Sequence, residues 1–103
     1  MKLSTLWAST LLLSTLSLAA VADTAVNISQ FTFVPPTVAV PVGTKVIWTN
    51  QDKVNHSIIS DTGIFSSNPL KLGDSFSYTF TTPGTYSYHC GYHSYMTGVI
   101  TVK

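Results

Sequence analysis

The chain has 103 residues, of which 45% are hydrophobic and 9% are charged, and its formal net charge at pH 7 is +1. Its charged side chains are five lysines and four aspartates, so it lacks the clustered Lys and Arg that neutralise phosphates, and we expect no nucleic-acid partner. Cys90 is its only cysteine, which excludes a disulfide within the chain.

The first 22 residues have the pattern of a secretory signal. Lys2 supplies a positive charge, residues 3–18 are largely apolar, and residues 20–22 (AVA) form a small-x-small cleavage site. Serine and threonine dilute the apolar stretch, which favours a cleaved signal over an uncleaved membrane anchor. We therefore expect export to the periplasm, cleavage after Ala22 and one small domain at residues 23–103. A membrane would be a partner only if the segment stayed uncleaved.

After the signal, apolar and polar residues alternate, which is typical of β-strands. Val26 and Ile28 share one phase of this alternation, whereas Phe31 and Phe33 continue in the opposite phase. A change of phase within a run indicates an extra residue. The sequence therefore predicts a bulge near Gln30.

Further short apolar runs follow along the chain, separated by turn residues such as Gly43 and Pro83-Gly84. They comprise residues 38–42, 46–48, 57–60, 76–80, 86–90 and 99–102. Short strands at such regular spacing predict an all-β sandwich or barrel, in which each sheet buries one face.

Cys90, His93 and Met96 follow one another at intervals of three residues. A soft thiolate, an imidazole and a weak thioether together are a copper ligand set. Residues 90 and 93 would point to opposite faces of a strand, so the segment must curl, and Gly91 and Gly98 permit a tight loop. A lone buried cysteine is more often inert packing, and Met96 could fill a gap in the core, but the fixed spacing favours metal binding.

A fourth ligand must come from elsewhere in the chain, and His56 is the best candidate because it follows the strand that contains Trp48. Two imidazoles and one thiolate with a long axial thioether form the arrangement of blue-copper electron-transfer sites. His89 is adjacent to Cys90, but strand alternation points it to the other face. We expect it to bind no metal.

These residues resemble the cupredoxins, the family of type 1 or blue copper proteins. The resemblance covers residues 26–103 and rests on residues 46–50 (VIWTN), His56 and residues 83–98 (PGTYSYHCGYHSYMTG). The Cys-x2-His-x2-Met spacing is similar to that of amicyanin and pseudoazurin, whereas plastocyanin has a longer His-to-Met spacing. The resemblance implies a Greek-key β-sandwich of about six to eight strands. It also implies one type 1 copper ion held by His56, Cys90, His93 and Met96.

The resemblance further implies a periplasmic electron carrier, not an enzyme, that exchanges single electrons with a donor and an acceptor redox protein. Such partners are cytochromes, dehydrogenases or reductases, and they are expected to dock on a monomer near His93, Tyr92 and Tyr95. The alternative function is a periplasmic copper carrier or chaperone. Ser94 occupies a position where a proline is common, and a less rigid loop would suit release of the ion.

A second departure from the family pattern concerns Ser57, which follows His56. Many members carry asparagine at this position, and its side chain ties the two ligand loops together. From serine we expect the backbone N–H to keep its contact with the Cys90 sulfur, but the side-chain tie to be weaker.

Overall fold

The computed structural model describes residues 21–103, so the predicted signal at residues 1–22 lies almost entirely outside the described residues. The described chain forms eight β-strands in two four-stranded sheets, and the predicted all-β sandwich is confirmed. The strands are β1 (Thr24–Ser29), β2 (Thr32–Val34), β3 (Thr37–Val40), β4 (Thr44–Asn50), β5 (Ile59–Ser60), β6 (Ser75–Phe80), β7 (Gly84–His89) and β8 (Thr97–Val102). Over residues 21–103 there is no helix long and apolar enough to cross a membrane.

The first sheet has the strand order β2-β1-β4-β6 and the second has the order β3-β8-β7-β5. β1 is parallel to β4, and β3 is parallel to β8, whereas the other pairs are antiparallel. Because the chain passes repeatedly from one sheet to the other, β4 and β7 lie in different sheets. The segments that follow these two strands contain His56 and Cys90. The two residues are therefore attached to opposite sheets of the sandwich.

The core lies between the two sheets and is rich in aromatic rings. Along β4, buried residues alternate with more exposed ones, so that Val46 and Trp48 are buried while Lys45 is exposed. The Trp48 ring packs edge-on against Tyr88 of the opposite sheet, with 5.4 Å between ring centroids, and stacks on Phe65 at 5.9 Å. Burial also raises the pKa of the Tyr88 hydroxyl to about 12.

The change of phase at Gln30 is a turn between two strands, and the predicted bulge is wrong. β1 and β2 pair antiparallel with Ser29 opposite Thr32, so that Gln30 and Phe31 alone connect them. Both residues have positive φ, 53° and 60°, as a two-residue hairpin turn of this type requires. Such turns normally contain glycine, asparagine or aspartate, and none of these occupies either position.

Gly98 of β8 lies opposite Tyr88 of β7, and the Tyr88 ring covers the space where a side chain would be. We predict that Gly98→Ala lowers the free energy of unfolding of the metal-free protein by about 1–3 kcal/mol, because the new methyl group would clash with the ring. Thr97→Ala on the exposed side of the same strand should change it by no more than about 0.5 kcal/mol. Denaturant unfolding measures both, and equal stability of the two variants would contradict the packing described.

Candidate metal centre

Three segments meet at one end of the sandwich: the β1–β2 turn, the loop after β4 and the loop between β7 and β8. The ring of Phe31, from the first segment, packs against His56 from the second and His93 from the third. Because β1 and β4 are parallel, they end side by side, with Ile28 beside Asn50. The fold therefore gathers the residues with candidate metal-binding side chains at this end.

His56 and Cys90 are in direct contact although 34 residues separate them in the sequence. The Nδ1 atom of His56 lies 3.6 Å from the Cys90 Sγ, and both residues are fully buried. The backbone N–H of Ser57 points at the same sulfur, with a donor–acceptor distance of 3.5 Å. This backbone contact is the one expected from the sequence.

The segment from Cys90 to Met96 curls as strand parity required. The N–H of Cys90 donates to the Met96 carbonyl at 3.0 Å, that of His93 to the Cys90 carbonyl at 3.3 Å, and that of Met96 to the His93 carbonyl at 2.9 Å. These bonds close a compact loop whose ends lie side by side. They also place the Met96 side chain in the core, where it is buried.

His93 lies beside His56, with their ring centroids 5.3 Å apart. Its Nε2 atom is buried and has no hydrogen-bond partner among the described residues 21–103. In residues 21–103 no three His, Cys, Asp or Glu side chains converge closely enough to hold a metal ion by themselves. His56 thus contacts Cys90 directly, and His93 lies next to this pair because its ring contacts the His56 ring.

The Ser57 side chain ties the two loops together, and that this tie is weaker than one made by asparagine stays a prediction. Its Oγ accepts a hydrogen bond from the Gly91 N–H at 2.9 Å. The short serine side chain reaches this N–H because Gly91 has no Cβ, which would lie 2.7 Å from the Ser57 Oγ. Serine and glycine together therefore make the connection that a longer amide side chain would make alone.

Two residues that the sequence did not single out, Asp52 and Phe31, complete the surroundings. The Asp52 Oδ2 lies 2.8 Å from the His56 Nε2, on the side of the ring away from Cys90. Partial burial raises the pKa of Asp52, but backbone N–H groups of Phe31 and Gln30 and the His56 contact outweigh it and lower the pKa below its usual value. A carboxylate in a short loop is too common to signal such a role in the sequence.

His89 lies away from this group of residues, as strand alternation predicted. Its Nδ1 is 2.6 Å from the Asp61 Oδ1 in a partly exposed pair on the outer side of the sandwich. The hydrogen bond from His89 lowers the pKa of Asp61. The histidine adjacent to Cys90 in the sequence thus makes its side-chain contact on another face of the protein.

The chemistry of the candidate donors fits copper. His56 Nδ1 faces the cysteine sulfur, and a second ring nitrogen, on His93, is buried with no hydrogen-bond partner within residues 21–103, which leaves it available to a metal. Thiolate and thioether are soft donors that select copper, whereas magnesium and calcium prefer oxygen donors. A structural zinc site would use Cys and His without a thioether.

Comparisons with known proteins identify the family to which this chain is similar. A family model for the cupredoxin-like domain matches residues 3–102. Amicyanin from Paracoccus denitrificans is 35% identical over 92 residues, which are 82% of this chain and 70% of that protein. A novel purple cupredoxin from Nitrosopumilus maritimus is 35% identical, with a TM-score of 0.73 over 79% of this chain and 100% of that one. A copper-containing nitrite reductase from Thermus scotoductus is 30% identical, with a TM-score of 0.74 over 79% of this chain but 22% of that one.

The pairing of Ser57 with Gly91 predicts non-additive effects of mutation. Ser57→Ala removes the acceptor of the Gly91 N–H and should cost about 0.5–1.5 kcal/mol of stability. Gly91→Ala should also destabilise the protein, because its Cβ would approach the Ser57 Oγ, but it should cost less when residue 57 is alanine. A double-mutant cycle of denaturant unfolding measures this coupling. Strictly additive effects would mean that the two residues act independently.

Proposed function

The chain belongs to the cupredoxin-like family, and on this basis we propose that it is a copper protein that carries single electrons between other redox proteins. The observation that carries the proposal is the buried contact between the His56 Nδ1 and the Cys90 Sγ. An imidazole nitrogen and a cysteine sulfur placed together and away from water are the central donors of a blue-copper site. The matches to amicyanin and to a purple cupredoxin support the same function.

We propose that His56, Cys90, His93 and Met96 hold one copper ion in a type 1 site. When bound, copper supplies a one-electron couple between Cu(I) and Cu(II). The sulfur donors suit Cu(I) and the imidazoles accept both states, so this set suits an ion that alternates between them. The core and the loop hydrogen bonds hold His56 and Cys90 in place, and small ligand movements keep the barrier to electron transfer low.

We propose that the donor and acceptor proteins, a cytochrome and a dehydrogenase or reductase, dock over His93. Tyr92 and Tyr95 are 52% and 70% exposed, and their ring centroids lie 6.4 Å and 5.9 Å from that of His93. An exposed apolar patch of this kind is a common mark of a protein–protein contact site. Because the formal charge of the chain is close to zero, docking should depend only weakly on salt.

The sequence pattern of residues 1–22 supports a secretory signal that is cleaved after Ala22. On that basis we place the working domain, residues 23–103, in the periplasm and expect it to act as a monomer. If cleavage did not occur, the same segment would anchor the domain to a membrane.

Copper delivery is the alternative function. It needs a ligand loop that opens readily, and Ser94 in place of a common proline would favour opening. Against this, three backbone hydrogen bonds close the loop between Cys90 and Met96. We therefore favour a carrier that retains its copper.

We propose no catalytic activity for this chain. The nitrite reductase with a similar fold is a much longer protein, of which the matched part is 22%. Copper enzymes need further ligands or a base for substrate chemistry, and the only histidine left over in this sequence, His89, is bonded to Asp61 on the outer face. The sulfur of Cys90, when bound to a metal, is not free to act as a nucleophile.

We predict that one equivalent of Cu(II) added to the purified protein gives an intense blue, green or purple band and an electron paramagnetic resonance spectrum with a narrow copper hyperfine splitting. Both follow from strong covalency between copper and the Cys90 thiolate. A pale tetragonal spectrum, or oxidation of Cys90 with loss of copper, would rule out the type 1 site.

Variants assign this band to particular residues. Cys90→Ala should abolish it, whereas His89→Ala should leave it unchanged and serves as a matched control next to the thiolate. Met96→Leu should keep copper but shift the band and raise the reduction potential, because the Met96 thioether would be a weak donor to the ion. A Cys90→Ala protein that keeps the band would assign the colour to another residue.

Electron transfer and copper delivery predict different fates of the metal. We predict that the copper-loaded protein completes repeated cycles of reduction and reoxidation by a cytochrome with its copper content unchanged. Copper analysis after gel filtration measures retention. Transfer of most of the copper to an acceptor apoprotein within such cycles would favour the delivery function instead.

A further inference from the structure

The carboxylate of Asp52 contacts hydrogen-bonding groups of two different segments of the chain. Its Oδ1 accepts the Gln30 N–H at 2.8 Å, and its Oδ2 accepts the Phe31 N–H at 2.9 Å and lies 2.8 Å from the His56 Nε2. The Asp52 side chain is only 13% exposed. Its own N–H donates to the Asn50 Oδ1 at 2.8 Å, which fixes the start of the loop after β4.

The first consequence concerns the β1–β2 turn. Gln30 and Phe31 both adopt left-handed backbone conformations, which cost residues other than glycine roughly 1–2 kcal/mol each. Successive N–H groups in such a turn point to one side and form a small anion-binding concavity. The Asp52 carboxylate occupies this concavity, so it offsets the cost of a turn that no glycine or asparagine supports.

The second consequence concerns the two imidazoles. The turn holds the Phe31 ring edge-on to His56, with 5.2 Å between centroids, and at 5.1 Å from His93. Phe31 is 36% exposed, so one side of its ring faces solvent and the other covers both histidines. The position of this cover depends on the turn, and the turn depends on the carboxylate.

The third consequence is the tautomer of His56. An ionised carboxylate can only accept hydrogen bonds, so the His56 Nε2 must carry the hydrogen in this contact. In a neutral ring the Nδ1 atom then has a free lone pair, and it is this atom that faces the Cys90 Sγ at 3.6 Å. A carboxylate that orients a metal-binding histidine through its second nitrogen is a recurrent device in metal sites.

We propose that Asp52 is a positioning residue with two linked tasks: it fixes His56 in the Nε2–H tautomer, and it seats Phe31 over His56 and His93 through the β1–β2 turn. The first task presents the Nδ1 lone pair beside Cys90. The second covers part of each ring and helps to shield it from water, with His56 fully buried and His93 partly exposed. The benefit to copper binding rests on the function proposed above, but the tautomer and the turn are properties of the metal-free protein.

The test is nitrogen-15 nuclear magnetic resonance of the metal-free protein, at a pH where histidine is neutral. Long-range proton–nitrogen correlations report the tautomer of each ring. Wild-type protein should show His56 almost entirely as the Nε2–H form. Asp52→Asn, which keeps the size of the side chain but replaces one acceptor oxygen with an NH2 donor, should give a mixture of tautomers and shift the Phe31 ring resonances.

Asp61→Asn is the matched control, because it changes a carboxylate that contacts His89 at 2.6 Å on the outer face. It should alter the His89 signals and leave those of His56 and Phe31 as in the wild type. Phe31→Ala separates the two tasks: it should remove the cover while His56 stays in the Nε2–H form.

Copper titration of the same proteins gives a second readout. Asp52→Asn should bind copper about 10–100-fold more weakly than the wild type, while Asp61→Asn should bind equally well. A wild-type protein that shows the Nε2–H form but no type 1 copper would end the functional proposal and leave the role of Asp52 standing.

Two results would overturn that role. One is an Nδ1–H tautomer of His56 in the wild type, a result that does not depend on whether any variant folds. The other is an Asp52→Asn protein with unchanged His56 and Phe31 signals.

Discussion

Two hydrogen bonds made by Ser57 join the segments on which the candidate copper site depends. Its backbone N–H points at the Cys90 sulfur at 3.5 Å, and its hydroxyl accepts the Gly91 N–H at 2.9 Å. The first segment follows β4 in one sheet and the second follows β7 in the other. The bonds therefore connect the two sheets at the point where His56 meets Cys90. Without this connection, the distance between His56 and Cys90 would change whenever either of their loops moved.

The core below these loops explains why they are held so firmly. Trp48 and Tyr88 pack against each other from opposite sheets, two residues before Asn50 and Cys90 respectively. Close-packed interiors resist deformation, so the strand ends that lead into the loops have fixed positions. A protein that passes electrons gains from this stiffness, because a ligand set that moves little on reduction and oxidation keeps the reorganisation energy low. The same residues thus stabilise the fold and set the geometry of the site.

Much of the fold could be predicted from the sequence because its strands alternate and its turns contain glycine and proline. The spacing of Cys90, His93 and Met96 and the position of His56 also singled out the candidate ligands, which the structure gathers at one end. The β1–β2 turn was missed because Gln30 and Phe31 are not typical turn residues. The turn is made favourable by the carboxylate of Asp52, which lies far from it in the sequence. The way in which Ser57 ties the two loops could not be predicted for a related reason: it depends on the missing Cβ of Gly91, a pairing that only proximity reveals.

We propose that the β-sandwich holds one copper ion on His56, Cys90, His93 and Met96 in both oxidation states. Copper-edge X-ray absorption of the loaded protein, recorded before and after reduction, tests it most directly. We expect one short copper–sulfur bond and two copper–nitrogen bonds in each state, with only small changes in length. A shell of nitrogen and oxygen without a short sulfur bond, or a nitrogen lost on reduction, would contradict it.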